Sequence, residues 1–209
     1  DEVFSAVAVP KSENHYFIQG MSPLSDGSIV LNFGNLGAVR LDACSNLMWR
    51  SDRPTHHSVT PTAEGNFWIP GVIDADATDP AYLPTGVTAT DIETMLADST
   101  SKAYNNSVVL FTPDGRVLKE FSVLEAVYDA GLEHAIYASM QEVLPDPLHV
   151  NDIELVTPAL AARIDGVVPG DLLISIREMQ MLAILDQEDG RLKWHQQGPF
   201  LRQHDPDIT

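Results

Sequence analysis

Apolar residues in this chain come in short alternating runs, each closed by a turn signal. "HYFIQGMSPL", "SIVLNFG", "GAVRLDA" and "LMWRSD", the first two separated by "SDG", predict four strands with tight connections over about residues 14–52. The unit then recurs. "HHSVTPT", "FWIPGV", "NSVVLFT" and "RVLKEFSV", with "EGN" and "PDG" in the turns, predict a second set over about 56–122, interrupted by an insertion at about 73–105. "HVNDIELV", "GDLLISIRE", "MLAILD" and "RLKWHQ", with "QEDG" before the last run, predict a third over about 148–197. "HDPDIT" at 203–209 reads as the opening strand of a fourth.

Four antiparallel strands per unit, with a core of roughly 40 residues and "DG" or "GN" in the hairpins, are the pattern of propeller blades. The expected fold is all-β, a partial β-propeller of about three to four blades; a twisted antiparallel sandwich is the alternative. Trp49 and Trp194, at equivalent blade-final places, are expected to pack between blades. Two insertions carry helical signals. "SVLEAVYDAGLEHAIYASM" has a Ser122/Glu125 capping box and apolar residues at helical spacing, which predicts an amphipathic helix over about 123–141, bent at Gly131. "TDIETMLADS" repeats the capping logic with Thr90 and Glu93, inside a surface loop rich in Asp, Thr and Pro. A closed propeller needs at least four blades, so the chain reads as part of a larger ring.

Composition narrows the function. A hydrophobic content of 44% in 209 residues supports a sizeable core. Twelve basic residues against 30 acidic ones give a formal charge of -18, a surface that repels polyphosphate and anionic lipid and so argues against nucleic-acid or membrane-surface binding. A small anionic ligand would need its own local cluster of Arg, Lys or protonated His. Cys44 is the single cysteine, which excludes an intramolecular disulfide. No run of about 18 apolar residues exists, so no membrane span is expected. Phosphate loops, paired metal-binding cysteines and serine-nucleophile elbows are absent from the sequence.

The chemistry lies at the strand openings. In a propeller the first strand of each blade lines the central channel, so residues opening successive first strands converge although they are far apart in sequence. His56 or His57, His149 and His204 hold such places and are expected in one funnel. For any one of them alone, a strand-end imidazole bonded to a carbonyl would suffice. Arg177, ending the second strand of the His149 blade, is about 4.8 Å away across the hairpin and reaches the same funnel. Arg202 precedes His204 by two residues. Asn151 and Asp152 are placed to orient His149, and Asp205 and Asp207 to orient His204.

"LHVNDIELV", "LLISIRE" and "GPFLRQHDPDI", preceded by "HHSVTPTAEGN", resemble the bacterial arylsulfotransferase family, a six-bladed propeller family; "FTPDGRVLKEFSVLEAV" extends the likeness over most of the chain. The ordered set H-x-N-D-I, I-S-x-R and Q-H is its most specific part. The resemblance implies transfer of a sulfuryl group from an aryl sulfate ester to a phenol acceptor, with no nucleotide sulfate donor and no cofactor, in a periplasmic or secreted setting. It implies His204 as nucleophile through a sulfohistidine, with His149, Arg177 and His57 binding the sulfuryl oxygens and His56, Asn151 and Arg202 lining the site. Ser58 stands where the family usually has an acid, the disulfide of some members cannot form with Cys44 alone, and "TPALAARIDGVVP" is an extra segment.

Two other readings use the same residues. A non-catalytic propeller would bind a ligand or a protein on its funnel face. Three imidazoles also suit zinc, although Arg177 beside them would repel a divalent cation. "NNS" at Asn105 to Ser107 fits a glycosylation sequon. His134, on the expected helix, and His195, on a blade's last strand, are read as structural or exposed, and His15 lies in the loop before the first blade.

Overall fold

Because each alternating run is joined to the next by a tight turn, the strands pair with their sequence neighbours. The computed structural model describes residues 17–97, 103–140 and 146–208. Within these, β1 (Ile18–Pro23), β2 (Ile29–Phe33), β3 (Gly37–Leu41) and β4 (Leu47–Ser51) form one antiparallel sheet in chain order. A second contains β5 (Thr60–Pro61), β6 (Phe67–Ile73), β7 (Asn105–Phe111) and β8 (Val117–Ser122), and a third β9 (Val150–Leu155), β10 (Leu172–Ile176), β11 (Met181–Leu185) and β12 (Leu192–Gln197). Three successive four-stranded meanders are three blades of a partial propeller. His15 lies outside the described residues.

Burial follows blade position. β6, β7 and β10 are inner strands with neighbours on both sides, and β7 and β10 are buried throughout. β8 and β12 are outer strands and present only intermediate or exposed positions. Trp49 at the edge of the first sheet lies 6.5 Å from Phe111 in a stacked arrangement and 6.3 Å from Phe67, and its Nε1 donates to the Pro113 carbonyl at 2.9 Å. It thus seals the seam between the first two blades. Trp194 packs with Val156 and Val167 of its own blade and with Ile208 from the stretch that follows it.

The insertions hold four helices among the described residues: α1 (Ala89–Ala97), α2 (Val123–Asp129), α3 (Glu133–Met140) and a short α4 (Pro158–Ala161) within "TPALAARIDGVVP". Ser122 Oγ accepts from Glu125 N at 3.0 Å, as the capping box requires. The chain breaks rather than bends at Gly131, whose φ of 73° ends one helix before the next begins. α2 and α3 bury Leu124, Val127 and Ile136 in the same cluster as Ile153 and Ile174 of the third blade. The cap of α1 differs from expectation: Asp91 N donates to Thr88 Oγ1 and Thr88 N to Asp91 Oδ2, so Thr88 and Asp91 fill the places assigned to Thr90 and Glu93.

Other expectations also need correction. "HHSVTPT" contributes only Thr60–Pro61 to the second sheet, with an isolated bridge between Thr55 and Gly71. Pro54 and Pro61 lack the N–H a ladder needs, and His57 sits at φ 56°, off the strand conformation. Residues 203–208 form no strand. The sequon is closed to modification, because Asn105, Asn106 and Ser107 are all buried in β7.

The first blade approaches the second through Gly20: a Cβ there would stand 1.9 Å from the His57 carbonyl oxygen. Backbone against backbone leaves no side chain to move aside. Gly20→Ala is therefore expected to destabilise the protein by about 1–3 kcal/mol in chemical denaturation, as an overpacked contact, while Gly86→Ala, in open space at φ 82°, bears only the cost of its backbone conformation.

Candidate active site

Residues 55–59 keep only an isolated bridge to β6, with His56 N donating to the Pro70 carbonyl at 2.9 Å, so their remaining polar groups are satisfied by both neighbouring blades. Asn32 of β2 donates from Nδ2 to the His57 carbonyl at 2.9 Å and accepts from Thr55 Oγ1 at 2.7 Å, while His57 N donates to Gln19 Oε1 at 3.2 Å. On the other side, Ile153 N of β9 donates to Ser58 Oγ at 3.1 Å, and Thr60 Oγ1 donates to the Ile153 carbonyl. Ser58, where the family usually has an acid, is thus a tie between blades. These clamps hold His57 in the left-handed conformation with its ring directed to the channel.

His149, also left-handed at φ 52°, follows the turn that begins at Asp146. Asp146 is buried; its Oδ1 accepts from His149 N at 3.0 Å and its Oδ2 pairs with His149 Nδ1 at 2.6 Å. Asn106 of β7 donates to Asp146 at 3.1 Å and accepts from Val150 N at 3.0 Å, so the second blade fixes the third blade's turn. On the far side of the ring, Arg177 Nη1 stands 3.1 Å from His149 Nε2. A guanidinium only donates, so Nε2 carries the lone pair and Nδ1 the proton given to Asp146.

His204 is set by the residue before it. Gln203 donates to the carbonyls of Ile176 (3.2 Å) and Met181 (3.0 Å), and its own carbonyl accepts from Asn151 Nδ2 at 2.7 Å. Arg202 and Asp205 on either side are left-handed, with φ of 50° and 52°. His204 is exposed, and its Nδ1 approaches the Arg202 carbonyl at 3.3 Å, which leaves Nε2 as the lone-pair nitrogen.

The rings of His57 and His149 lie 5.2 Å apart, those of His57 and His204 6.1 Å, and those of His149 and His204 6.4 Å. One ring nitrogen from each falls within 4.8 Å of the others. Three imidazoles from positions about 50 to 90 residues apart in sequence thus form one cluster, with Arg177 at its edge. His56 stands behind it, buried, its Nδ1 2.9 Å from His57 Nδ1. His134 and His195 are exposed and away from the cluster.

The charge of this cluster differs from expectation. Burial drives His57 down to about 3, helped by His56, His149 and His204, and drives His56 down to about 4. Both are neutral near pH 7. The fixed cations are Arg177, 3.3 Å from Glu178, and Arg202, 3.5 Å from the same largely buried carboxylate. Nor do the expected orienting groups act as foreseen: Asn151 holds Gln203, and Asp152 lies beside Ser58, buried with Oδ2 unpartnered and its carboxyl raised to about 6 by desolvation. Asp146, Asn106 and Gln203, which do orient the site, were not foreseen in that role, whereas Glu178 is the neighbour in sequence that Arg177 was expected to pair with if it served structure alone. Asp146 carried a signal in "DPLH", an Asp three residues before the histidine with a proline between.

The family model described as Arylsulfotransferase (ASST) matches residues 20–209. The chain belongs to the arylsulfotransferase family. No curated protein matches it. Among solved structures it is similar to a protein of unknown function from Bacteroides caccae, at 10% identity and a TM-score of 0.44 over 86% of this chain and 46% of that one. It is also similar to a catalytically inactive virginiamycin B lyase from Staphylococcus aureus with quinupristin, at 11% identity and a TM-score of 0.47 over 88% and 42%. The chain spans less than half the length of either structure. Among the described residues of this arylsulfotransferase-family chain, no helix is long and apolar enough to cross a membrane.

The neutral histidines make stability depend on pH. As pH falls below the ordinary value of 6.5, the unfolded chain protonates these imidazoles first, so stability is lost from about pH 6.5 down towards pH 4. Asp152 opposes this between about 6 and 3.8, where the folded state takes the proton first. With two histidines against one carboxyl, thermal melts are expected to show a falling midpoint between pH 7 and about pH 4.5. His57→Asn should flatten that fall, and an equal fall in variant and parent would exclude His57 as its source.

Proposed function

We propose that this chain carries the reacting groups for sulfuryl transfer from an aryl sulfate ester to a phenol, with His204 as nucleophile. The observation that carries the reading is the exposed His204, its Nδ1 held by the Arg202 carbonyl and its ring within the cluster that Arg177 borders. A neutral imidazole with Nε2 unprotonated is the form that attacks an electrophile.

In the first step His204 Nε2 forms a bond to sulfur while the ester S–O bond breaks and an aryl oxide leaves, giving a sulfohistidine. In the second, the acceptor phenol oxygen bonds to sulfur, the N–S bond breaks, and the phenol proton passes to solvent or a neighbouring imidazole. Arg177 is the fixed cation for charge spreading onto the sulfuryl oxygens, the type of donor worth most where water is scarce. Asp146 holds the His149 tautomer, and His57 gains proton affinity when an anion occupies the cluster. No nucleotide sulfate and no cofactor enters this scheme. By family, the setting we infer is extracytoplasmic, periplasmic or secreted.

The test is nitrophenolate release from 4-nitrophenyl sulfate with phenol as acceptor. Release should require phenol, fall by at least about a thousandfold in His204→Asn, and fall by about 10²–10³ in kcat in Arg177→Met. Because anion binding draws a proton onto the cluster, KM for the ester should rise as pH increases. Equal release from parent and His204→Asn, both folded, would overturn the assignment in favour of a binding propeller.

A further inference from the structure

We propose that the His57, His149 and His204 cluster is also a zinc(II) site, filled when Arg177 withdraws onto Glu178, so that metal and sulfuryl anion exclude each other. It stands on geometry that needs no turnover.

Each ligand histidine has its other ring nitrogen engaged from outside. His149 Nδ1 is bound to the Asp146 carboxylate at 2.6 Å, His204 Nδ1 to the Arg202 carbonyl at 3.3 Å, and His57 Nδ1 to His56 Nδ1 at 2.9 Å. Such outer contacts fix tautomers and aim lone pairs inwards, and the carboxylate–imidazole pair is their commonest form around zinc. With the proton of the His57–His56 contact on His57, Nε2 of all three rings is a lone pair. Arg177 Nη1 meets the one on His149, and the three rings gather acceptors in one cluster. What they attract is an electrophile, and a divalent cation satisfies all three at once.

The fit requires little movement. Zinc holds imidazole nitrogens at about 2.0–2.1 Å, which sets ligand nitrogens roughly 3.4 Å apart. The ring nitrogens here already fall within 4.8 Å of one another, and His204, exposed, is the ring with room to turn inward.

Arg177 is the obstacle, since its Nη1 occupies His149 Nε2. It has another partner: Glu178 Oε1 lies 3.3 Å from the same Nη1, and Glu178 also binds Arg202. A guanidinium drawn onto that carboxylate uncovers His149. The formal charge of -18 favours the cation, because it concentrates cations and opposes anions at the funnel.

The test is titration of the tag-free protein with cobalt(II), a visible reporter for zinc. The expected result is one equivalent bound with the intense absorption of four-coordinate cobalt, displaced by zinc(II). His204→Asn, at an exposed position that spares the core, should weaken binding by at least about tenfold, and Asp146→Asn by about 10–100-fold. Arg177→Met should tighten it, which binding to His134 or His195 on the surface would not do. Binding unchanged in His204→Asn, a weak six-coordinate spectrum, or weakening in Arg177→Met would each overturn the proposal. Cobalt binding without nitrophenolate release would leave the metal site standing and remove only the transfer reading; release without cobalt binding would do the reverse.

Discussion

The structure turns on the stretch between Thr55 and Val59, which is tied to its own sheet only at the bridge of Thr55 to Gly71. A regular first strand would satisfy its polar groups within one sheet, but here the two prolines and the turned backbone of His57 prevent it. His56 N still donates to the Pro70 carbonyl of its own sheet, and the remaining groups are met from outside: Asn32 and Gln19 reach over from the first blade, and Ile153 answers Ser58 and Thr60 from the third. The stretch is therefore the common wall of three sheets. The close approach of Gly20 and the aim of the His57 ring both follow from that one requirement.

The second consequence is electrostatic. His56 and His57, set among three sheets, lose water, and desolvation removes their charge before any catalytic demand is considered. These two rings are thus acceptors near neutral pH, and the fixed cations beside the cluster are Arg177 and the more exposed Arg202, both paired with Glu178. Neutral nitrogen is what nucleophilic attack and metal ligation alike require. The surrounding acid content acts mainly through the long-range field, since among the acidic side chains of the described residues it is Asp146 that bonds a ring of the cluster.

Periodicity and turn chemistry made most of the fold legible. The "DG" turns and alternating runs marked every sheet, because hairpin pairing is local and each signal lies within a few residues of its effect. The convergence of His57, His149 and His204 was legible too, since repetition converts distant positions into equivalent ones. What escaped were contacts with no fixed register. Asn151 and Asp152 alternate across β9, so one meets Gln203 and the other Ser58, and neither turns back to a histidine that leaves the strand in a left-handed conformation. Asp146 lies before the strand, where a turn and not a period sets its distance. Protonation was illegible for a similar reason, because it depends on burial by three sheets at once.

The left-handed backbone at His57 and His149 bears on which sequences can occupy these places. Valine, isoleucine and threonine are poorly suited to positive φ, whereas asparagine adopts it readily. A variant with a branched side chain at either position confounds loss of an imidazole with a forced change of chain direction. Asparagine separates the two, keeping the path of the chain while deleting its chemistry. Positions 57 and 149 must therefore suit a positive φ before they can present any side chain to the cluster.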